Sequence, residues 1–323
     1  MKLNLPILDQ LQGRKNILVA GCGGGFDVFC GLPIYFTLRE MGYNVHLANY
    51  SFTPVGIVAH YCNTITLEQT LLEGATANIP ADLQLAYYPE GYLSRWFRDH
   101  RQEDIPIWMF AKVGPAMLMS LYQQLVAHLD IDAIILLDGG VDSLMIGDEA
   151  GAGTLLEDTI SLIAVEALNV PVKILGCLGF GAELEVAHNN ALANMATLVQ
   201  QGAAYGACAL TPQMPVYQAY EQASKYVWEQ PDHHKSQINM RIVSATNGHF
   251  GNYHMYDDYP PRPILVSPLM SIYWFFDAMA VIKRSLLADE IRHTYTIEDA
   301  YSATIRFRQK MIGQSRDSQQ LPY

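Results

Sequence analysis

The stretch AIILLDGGVD, at residues 133–142, decides how the rest of the chain is interpreted. Five consecutive apolar residues are typical of a strand that is buried on both faces, as strands are in parallel sheets. Two glycines and two aspartates follow this run directly. In open α/β folds, ligands bind at the carboxyl ends of the strands, so the stretch predicts acidic groups at a ligand-binding edge.

A second transition from strand to glycine-rich loop lies near the N-terminus. Residues 16–20 are predicted to form a strand, GCGGG follows at residues 21–25, and a helix is predicted over 27–41. Glycines let backbone amides approach a phosphate closely, and a helix N-terminus carries partial positive charge. The alternative is a tight turn that is capped by Asp27 and binds nothing. The residues expected to bind the anionic part of a ligand are Gly23, Gly24, Gly25 and Asp27.

Short apolar runs alternate with helical patterns along the chain. This alternation predicts an α/β fold with a doubly wound, mostly parallel (Rossmann-like) sheet and helices on both faces. One domain is expected over residues 1–313, with a polar tail at 314–323. Further strands are predicted at 44–49, 83–88, 105–111, 133–137, 172–178, 205–210, 241–245 and 264–266. Further helices are predicted at 67–72, 113–128, 157–168, 188–201, 215–228, 271–287 and 297–312.

Composition excludes several classes of protein. The chain has 323 residues, of which 50% are hydrophobic and 16% charged, as in globular proteins. Its net charge of −12 argues against binding to a nucleic-acid backbone. The five cysteines are widely spaced, which favours reduced thiols. No signal peptide is recognisable, and no apolar run is long enough to span a bilayer. We therefore expect a cytoplasmic protein that binds neither nucleic acid nor membranes.

The segment from Asp138 onward is unusually acidic. Closely packed carboxylates repel one another, and a divalent cation such as Mg²⁺, a shared proton or a cationic ligand group relieves the repulsion. Asp138, Asp142 and Asp148 are the predicted catalytic residues, as metal ligands or as a general acid or base. Gly139, Gly140 and Glu149 are predicted to contact the ligand. Glu157 and Asp158 are interpreted as acids that favour the start of the next helix.

Three other places are expected to border the same crevice. Asn49 ends the second strand, where dinucleotide-binding folds carry an acid for a ribose. Gly181, Glu183 and His188 follow the strand at 172–178, with Glu183 expected to orient a ribose hydroxyl and His188 to donate to an anion. Asn247 and His249 follow the strand predicted at 241–245 and are expected to form a polar ligand-facing loop.

The strings GGGFD at 23–27 and DGGVDSL at 138–144, with GDE at 147–149, resemble domain of unknown function family 1152. This family occurs in archaea and bacteria. The likeness spans most of the chain, and the second string is its more specific part. Where the family's first loop has a further glycine, this chain has Phe26. The resemblance implies a shared fold and a shared site location, but no reaction.

The leading functional hypothesis is an enzyme, a hydrolase or transferase, that acts on a nucleotide or another phosphorylated, ribose-bearing small molecule. Two alternatives remain open. Residues 21–25 also resemble the first motif of S-adenosylmethionine-dependent methyltransferases, and a non-catalytic nucleotide-binding sensor would need the same loops. The apolar run IYWFF at 272–276 is the candidate interface of a homo-oligomer. The alternative is that this run covers one face of the sheet.

Overall fold

The computed structural model describes residues 1–67, 71–83, 85–149, 155–256 and 264–312. The predicted tail at 314–323 lies outside them. The described residues form a mixed α/β structure around one nine-stranded sheet. The strands are β1 (Asn16–Gly21), β2 (Asn44–Tyr50), β3 (Ile65–Thr66), β4 (Leu72–Ala75), β5 (Ile107–Phe110), β6 (Ala133–Asp138), β7 (Val172–Leu178), β8 (Ala204–Ala209) and β9 (Ile272–Asp277).

Helices fill most of the connections between these strands. They are α1 (Asp27–Cys30), α2 (Leu32–Glu40), α3 (Val55–Cys62), α4 (Pro89–Trp96), α5 (Pro115–Leu129), α6 (Leu155–Glu166), α7 (His188–Gln200), α8 (Pro215–Trp228), α9 (Gln237–Thr246), α10 (Ala278–Ile282), α11 (Ala288–Ile291) and α12 (Ile297–Met311). A π-helical turn, Phe97–Arg101, continues α4, and short 3₁₀ turns lie at Asp142–Leu144 and Pro268–Ser271. None of the described helices combines the length and apolar character that crossing a bilayer requires.

The strand order is β3-β4-β5-β2-β1-β6-β7-β9-β8. The five strands from β5 to β7 are parallel, and the strands outside them pair in antiparallel fashion. In this register Gly21 of β1 pairs with Leu137 of β6 and with Asn49 of β2. Because parallel strands end at the same edge, the glycine loop after β1 begins next to Asp138.

The sheet separates two apolar cores. Successive side chains of a strand point to opposite faces. On β1, Ile17 and Val19 therefore enter one core, and Leu18 and Ala20 enter the other. The first core packs against α1–α4, α8 and α9, and the second against α5–α7 and α10–α12. Helices thus cover both faces, and the carboxyl edge of the parallel strands is where polar groups collect.

Two predicted elements have the opposite secondary structure. The strand predicted at 241–245 is part of helix α9, whose N-cap Ser236 accepts a hydrogen bond from the Asn239 amide (3.1 Å). The helix predicted at 271–287 begins as strand β9, because β-branched and aromatic residues suit a buried pleated surface. Asp277 ends that strand and caps α10 by accepting from the Met279 amide (2.7 Å). A short apolar run alone does not distinguish a strand from a buried helix.

Smaller differences concern the ends of elements and the irregular segment after β2. Residue 67 is not helical and Leu72 begins β4, so the helix predicted at 67–72 is wrong in the described part. The described residues of 83–88 form no strand, and 264–266 contribute only an isolated bridge between Gly251 and Val266. The helix predicted over 27–41 is interrupted at Gly31. A Cβ at Gly31 would lie 2.5 Å from a Val19 methyl carbon, so glycine permits this close approach to β1.

The aromatic run at 272–276 lies inside the sheet. As strand β9 it is hydrogen-bonded to β7 on one side and to β8 on the other. Tyr273 and Phe275 enter the first core, and Phe276 enters the second. This stretch is therefore an inner strand rather than a free surface. Homo-oligomerisation remains a prediction without this candidate interface.

Candidate active site

A cavity of about 340 Å³ opens at the carboxyl ends of β1 and β6. Its wall combines the glycine loop after β1, the loop after β6, the loop after β7, and residues of α6 and α9. Seven of the lining residues are acidic. The lining residues are Gly23, Gly24, Asp27, Phe52, Asp138, Gly139, Asp142, Glu157, Asp158, Glu183, Leu184, Glu185, Gln237, Ile238 and Arg241.

Five of these acids form a compact group, called here the carboxylate cluster: Asp27, Asp138, Asp142, Asp158 and Glu183. The cluster contains two sets of three residues. In each set, one carboxylate oxygen of every residue lies within 4.8 Å of one oxygen of each of the other two. The first set is Asp27, Asp138 and Asp158, and the second is Asp138, Asp142 and Glu183. Asp138 belongs to both sets and is therefore the geometric centre of the site.

Backbone amides orient the two carboxylates nearest the sheet. Asp27 accepts from the Gly23 amide at Oδ2 (2.7 Å) and from the Gly139 amide at Oδ1 (3.2 Å). Asp138 accepts at Oδ2 from the hydroxyl (2.5 Å) and the amide (3.2 Å) of Ser143. These bonds fix both side chains while each carboxylate oxygen keeps further acceptor capacity. The sheet thus holds both acids in place before anything binds.

Asp142 and Glu183 lie close together in the cavity wall. Glu183 accepts from the Val141 amide at Oε2 (2.8 Å), and one of its carboxylate oxygens lies within 4.8 Å of an oxygen of Asp142 and of an oxygen of Asp138. Carboxylates this close repel one another unless a proton or a cation lies between them.

Asp158 enters the cavity from the first turns of α6. Ser161 of the same helix donates to the Cys22 carbonyl (2.6 Å), which ties α6 to the glycine loop. Asp158 is only 1% exposed, and its Oδ1 is buried without a hydrogen-bond partner among the described residues. A buried carboxylate oxygen without a hydrogen-bond partner is strongly unfavourable unless a bound ligand supplies the missing interaction.

The cluster is electrostatically uncompensated. Burial and, next, the neighbouring Asp142 raise the pKa of Asp27 to about 8. The same two causes raise the pKa values of Asp138, Asp158 and Glu183 well above their ordinary range. Among the described residues that line the cavity, Arg241 is the only cation. The site therefore attracts protons, or any cation that can replace them.

Two basic side chains lie near the cluster, and Arg241 interacts electrostatically with Glu185 and Glu183 at its edge. Arg241 donates to the Ala182 carbonyl and to Gln237 Oε1 (3.1 Å), so it ties the loop after β7 to α9. Lys112 forms an ion pair with Glu157 (2.9 Å) at the rim of the cavity. Burial, followed by the neighbouring carboxylates, raises the thiol pKa of Cys22, so this cysteine is a neutral thiol. The chemistry available at this site is that of oxygen ligands and carboxyl groups.

The structure brings together many of the residues singled out from the sequence. Those that line the cavity are Gly23, Gly24, Asp27, Asp138, Gly139, Asp142 and Glu183. Under the alternative interpretation Asp27 would cap the first helix, but it is the first residue of α1 and the cap position is Phe26. Its carboxylate accepts the hydrogen bond of the Gly23 amide, which was expected to donate to a phosphate. Glu183 was expected to orient a ribose hydroxyl, and in the structure it lies beside Asp142.

Other predicted residues support the site without lining it. Asn49 is fully buried beneath the glycine loop and donates to the Gly25 carbonyl (2.8 Å) and to Glu90 Oε1 (2.7 Å). Glu149 accepts from the Ile146 amide (2.9 Å) and the Gly147 amide (2.8 Å), which closes its own loop. The neighbouring Asp148 is half-buried and lies outside the cavity wall. The acidic segment thus divides into cavity acids and loop-stabilising acids.

The remaining predicted residues are peripheral. His188 is exposed, with its ring 5.2 Å from that of Phe180 and close to Gly181. Asn247 and His249 are exposed as well, and His249 stacks on Tyr253 at 3.7 Å. They follow a helix instead of a strand, so the rule that strand ends meet at one edge does not apply to them.

Asp158 and Arg241 are the two cavity residues whose placement differs most from the sequence interpretation. Asp158 lies in the first turn of α6, as interpreted from the sequence, but its side chain is also buried in the cavity wall. Ten of the twelve residues of this helix are buried, so spacing alone does not single out Asp158. Arg241 was predicted to lie in a strand. In the structure it belongs to α9, and this helix brings it to the cavity wall.

The profile of the family described as "Protein of unknown function (DUF1152)" matches residues 106–310, well over half of the chain. The chain belongs to this family. The matched region carries four members of the carboxylate cluster, whereas Asp27 and the glycine loop precede it. Searches of curated proteins and of solved structures found no match.

Gly140 offers a test of how tightly the cluster is packed. A Cβ at this position would lie 2.2 Å from the Glu183 carboxylate, a contact that cannot be accommodated without displacing that acid. We expect Gly140→Ala to lower the free energy of unfolding by about 1–3 kcal/mol, as overpacking does. Chemical denaturation measures this change. Gly56→Ala is the matched control, because a Cβ in α3 meets nothing within 4 Å and alanine favours a helix. Equal stability of the two variants would contradict the described packing.

Proposed function

We propose that this protein is an enzyme, a hydrolase or transferase, acting on a nucleotide or another phosphorylated, ribose-bearing small molecule at the carboxyl edge of the sheet. The carboxylate cluster is its reacting centre, and a divalent cation such as Mg²⁺ is its cofactor. The observation that carries the proposal is a set of five carboxylates around one cavity of about 340 Å³. A cavity of this volume lies at the lower end of the range for small-molecule sites.

The order of the parallel strands supports this assignment. Taken in chain order, the five parallel strands stand third, second, first, fourth and fifth across the sheet. This is the order that doubly wound, Rossmann-like folds share, and their ligands bind where the order reverses. Here the reversal lies between β1 and β6, which is where Asp27 and Asp138 meet. We therefore propose the doubly wound class for the central part of the sheet.

The charge of the cluster restricts how a phosphorylated ligand could bind. A phosphate would be repelled by the carboxylates alone, and the Gly23 amide is already used by Asp27. Mg²⁺ is typically held by one or two carboxylates, waters and phosphate oxygens, so a cation bound to the cluster would supply the missing attraction. In this proposal the glycine loop acts chiefly by orienting Asp27, and the cation contacts the phosphate.

The rim of the cavity has one feature suited to a flat ring. Phe52 is 41% exposed and lines the cavity beside Gly24. The Lys112 ammonium lies 4.2 Å from the centre of the Phe52 ring. Because this ammonium lies over one face of the ring, a nucleobase would stack on the other face. This supports a nucleotide over a small sugar phosphate.

The cluster also supplies acid–base chemistry. In the hydrolytic form of the reaction, a water oxygen forms a bond to phosphorus while the bond to the leaving oxygen breaks. The water loses its proton to a carboxylate of the cluster, and the leaving oxygen takes up a proton from solvent.

Turnover assays test the proposal directly. Chelator-treated protein would be incubated with nucleoside mono-, di- and triphosphates and with sugar phosphates, with and without Mg²⁺ or Mn²⁺. Phosphorus NMR of the mixture detects any product. We expect cation-dependent turnover that is lost on Asp142→Asn and kept on Glu40→Gln, a change to an exposed acid at the end of α2 that lies outside the cavity wall. Nucleotide binding without product from any compound would favour a sensor and overturn the enzymatic proposal.

A further inference from the structure

We infer that the carboxylate cluster binds two divalent cations, with Asp138 as the ligand shared between them. The inference rests on the proposed function for the identity of the site, but cation binding is measurable without turnover. One cation would be bound by Asp27, Asp138 and Asp158, and the second by Asp138, Asp142 and Glu183. The chain would thereby have a two-metal centre suited to phosphoester chemistry.

The spacing of the oxygens supports two adjacent positions. Each set of three offers oxygens within 4.8 Å of one another. Around Mg²⁺, with bonds of about 2.1 Å, ligand oxygens lie roughly 3–4 Å apart. Small side-chain movements toward a cation would bring the three oxygens of each set to this spacing. Because Asp138 belongs to both sets, the two positions adjoin, as in two-metal sites whose ions are about 3.5–4 Å apart.

An independent observation comes from Asp158. Its carboxylate is buried in the cavity wall, and Oδ1 has no hydrogen-bond partner among the described residues. No basic side chain of the described cavity wall is directed at it, because Arg241 is bound to the Ala182 carbonyl and to Gln237. A bound cation would supply the missing interaction and compensate for the burial of the charge.

Charge balance favours two cations over one. Five ionised carboxylates carry five negative charges, so a single divalent ion would leave three of them uncompensated in a buried site. Two ions leave one, which a partly open cavity tolerates, and they also attract a phosphate. The carboxylates of Asp142 and Glu183, which each have an oxygen within 4.8 Å of one of Asp138, mark the second position.

The hydrogen bonds that Ser143 donates to Asp138 also support the role of Asp138 as the shared ligand. Ser143 donates twice to Oδ2 of Asp138, and this orients the carboxylate so that Oδ1 is outside those bonds. Hydrogen bonds of this kind hold a metal ligand in one orientation and tune its affinity. Asp138 is also rigidly placed, because it is the last residue of the buried strand β6.

The experiment is a titration of the full chain, freed of metal by chelation, with Mn²⁺. Calorimetry and electron paramagnetic resonance would report the number of bound ions and whether they are magnetically coupled. We expect two Mn²⁺ per chain with a coupled signal. Asp158→Asn and Glu183→Gln should each retain one uncoupled ion, Asp138→Asn should retain neither at the same affinity, and the control Glu40→Gln should retain both.

The outcomes separate this inference from the proposed function. Two coupled ions without turnover of any phosphorylated compound would overturn the enzymatic proposal and leave the two-cation site standing. A wild-type chain that binds one ion or none would overturn the two-cation site, whether or not turnover is observed. Thermal melts confirm that each variant is folded, and the wild-type stoichiometry decides the question even if a variant is not.

Discussion

Asp138→Asn is expected to lower kcat for the cation-dependent reaction by at least about 10²-fold, the loss that can follow from changes to the supporting contacts of a metal site alone. The substitution removes the charge at the centre of the cluster. It keeps the size of the side chain and an oxygen that can accept from Ser143, so the fold should survive. Steady-state kinetics at saturating Mn²⁺ measures the effect.

Glu40→Gln is the control for this substitution. Glu40 is an exposed acid at the end of α2 and lies outside the cavity wall, so the kcat of this variant should stay close to the wild-type value. The comparison separates the loss of a ligand from a general loss of negative charge. An Asp138→Asn variant with wild-type kcat and wild-type cation affinity would contradict the central role of Asp138.

The second large effect expected is a loss of stability of the metal-free protein as the pH rises from about 4 to about 8. Asp27 has a pKa of 3.8 when unperturbed and about 8 in the folded protein. The folded state therefore holds the proton more tightly than the unfolded state does. The resulting stabilisation is complete below pH 4 and is lost as the pH rises through the folded-state pKa. Asp138, Asp158 and Glu183 shift in the same direction.

Thermal melts in the presence of a chelator, recorded across this pH range, measure the loss. Saturating Mn²⁺ should reverse it and should stabilise the protein more at pH 8 than at pH 5, because protons compete with the metal. At a cation concentration of about 100 times Kd, the gain is about 2.7 kcal/mol per site. A melting temperature that rises with pH in the chelator would contradict an uncompensated cluster.

The Asp158→Asn variant tests whether repulsion between the buried carboxylates causes this pH dependence. Removing one buried charge should raise the melting temperature of the metal-free protein at pH 8 and reduce its dependence on pH. The same variant should gain less from Mn²⁺ than the wild type. A substitution that stabilises the empty protein while weakening cation binding is the expected behaviour of a functional site. A destabilised variant with full cation affinity would exclude this role for Asp158.

The centre of the fold was predictable from the sequence because it depends on local patterns. Residues 133–137 and 17–20 are continuous apolar runs that lead into glycine-containing loops, and both belong to inner parallel strands. The rule that parallel strands end at a common edge then placed Asp138 near the glycine loop. Helix α8 was likewise predictable, because its apolar positions repeat with helical spacing from Pro215 to Trp228.

The edges of the fold and half of the site depended on contacts that sequence patterns do not contain. The run at 272–276 could fill a helix or a strand, and only its pairing with β7 and β8 decides between them. The face that α9 presents, and therefore the position of Arg241, follows from packing against the loop after β7. Asp158 enters the cluster because α6 is tied to Cys22 by Ser161. Each of these contacts joins distant segments of the chain.

Anomalous X-ray scattering from crystals soaked in Mn²⁺ tests the central claim most directly. The account predicts two peaks inside the cavity, about 3.5–4 Å apart and both next to Asp138, with Asp158 beside one and Glu183 beside the other. Crystals that diffract well and show no manganese between these five carboxylates, at concentrations that occupy other sites on the protein, would contradict it.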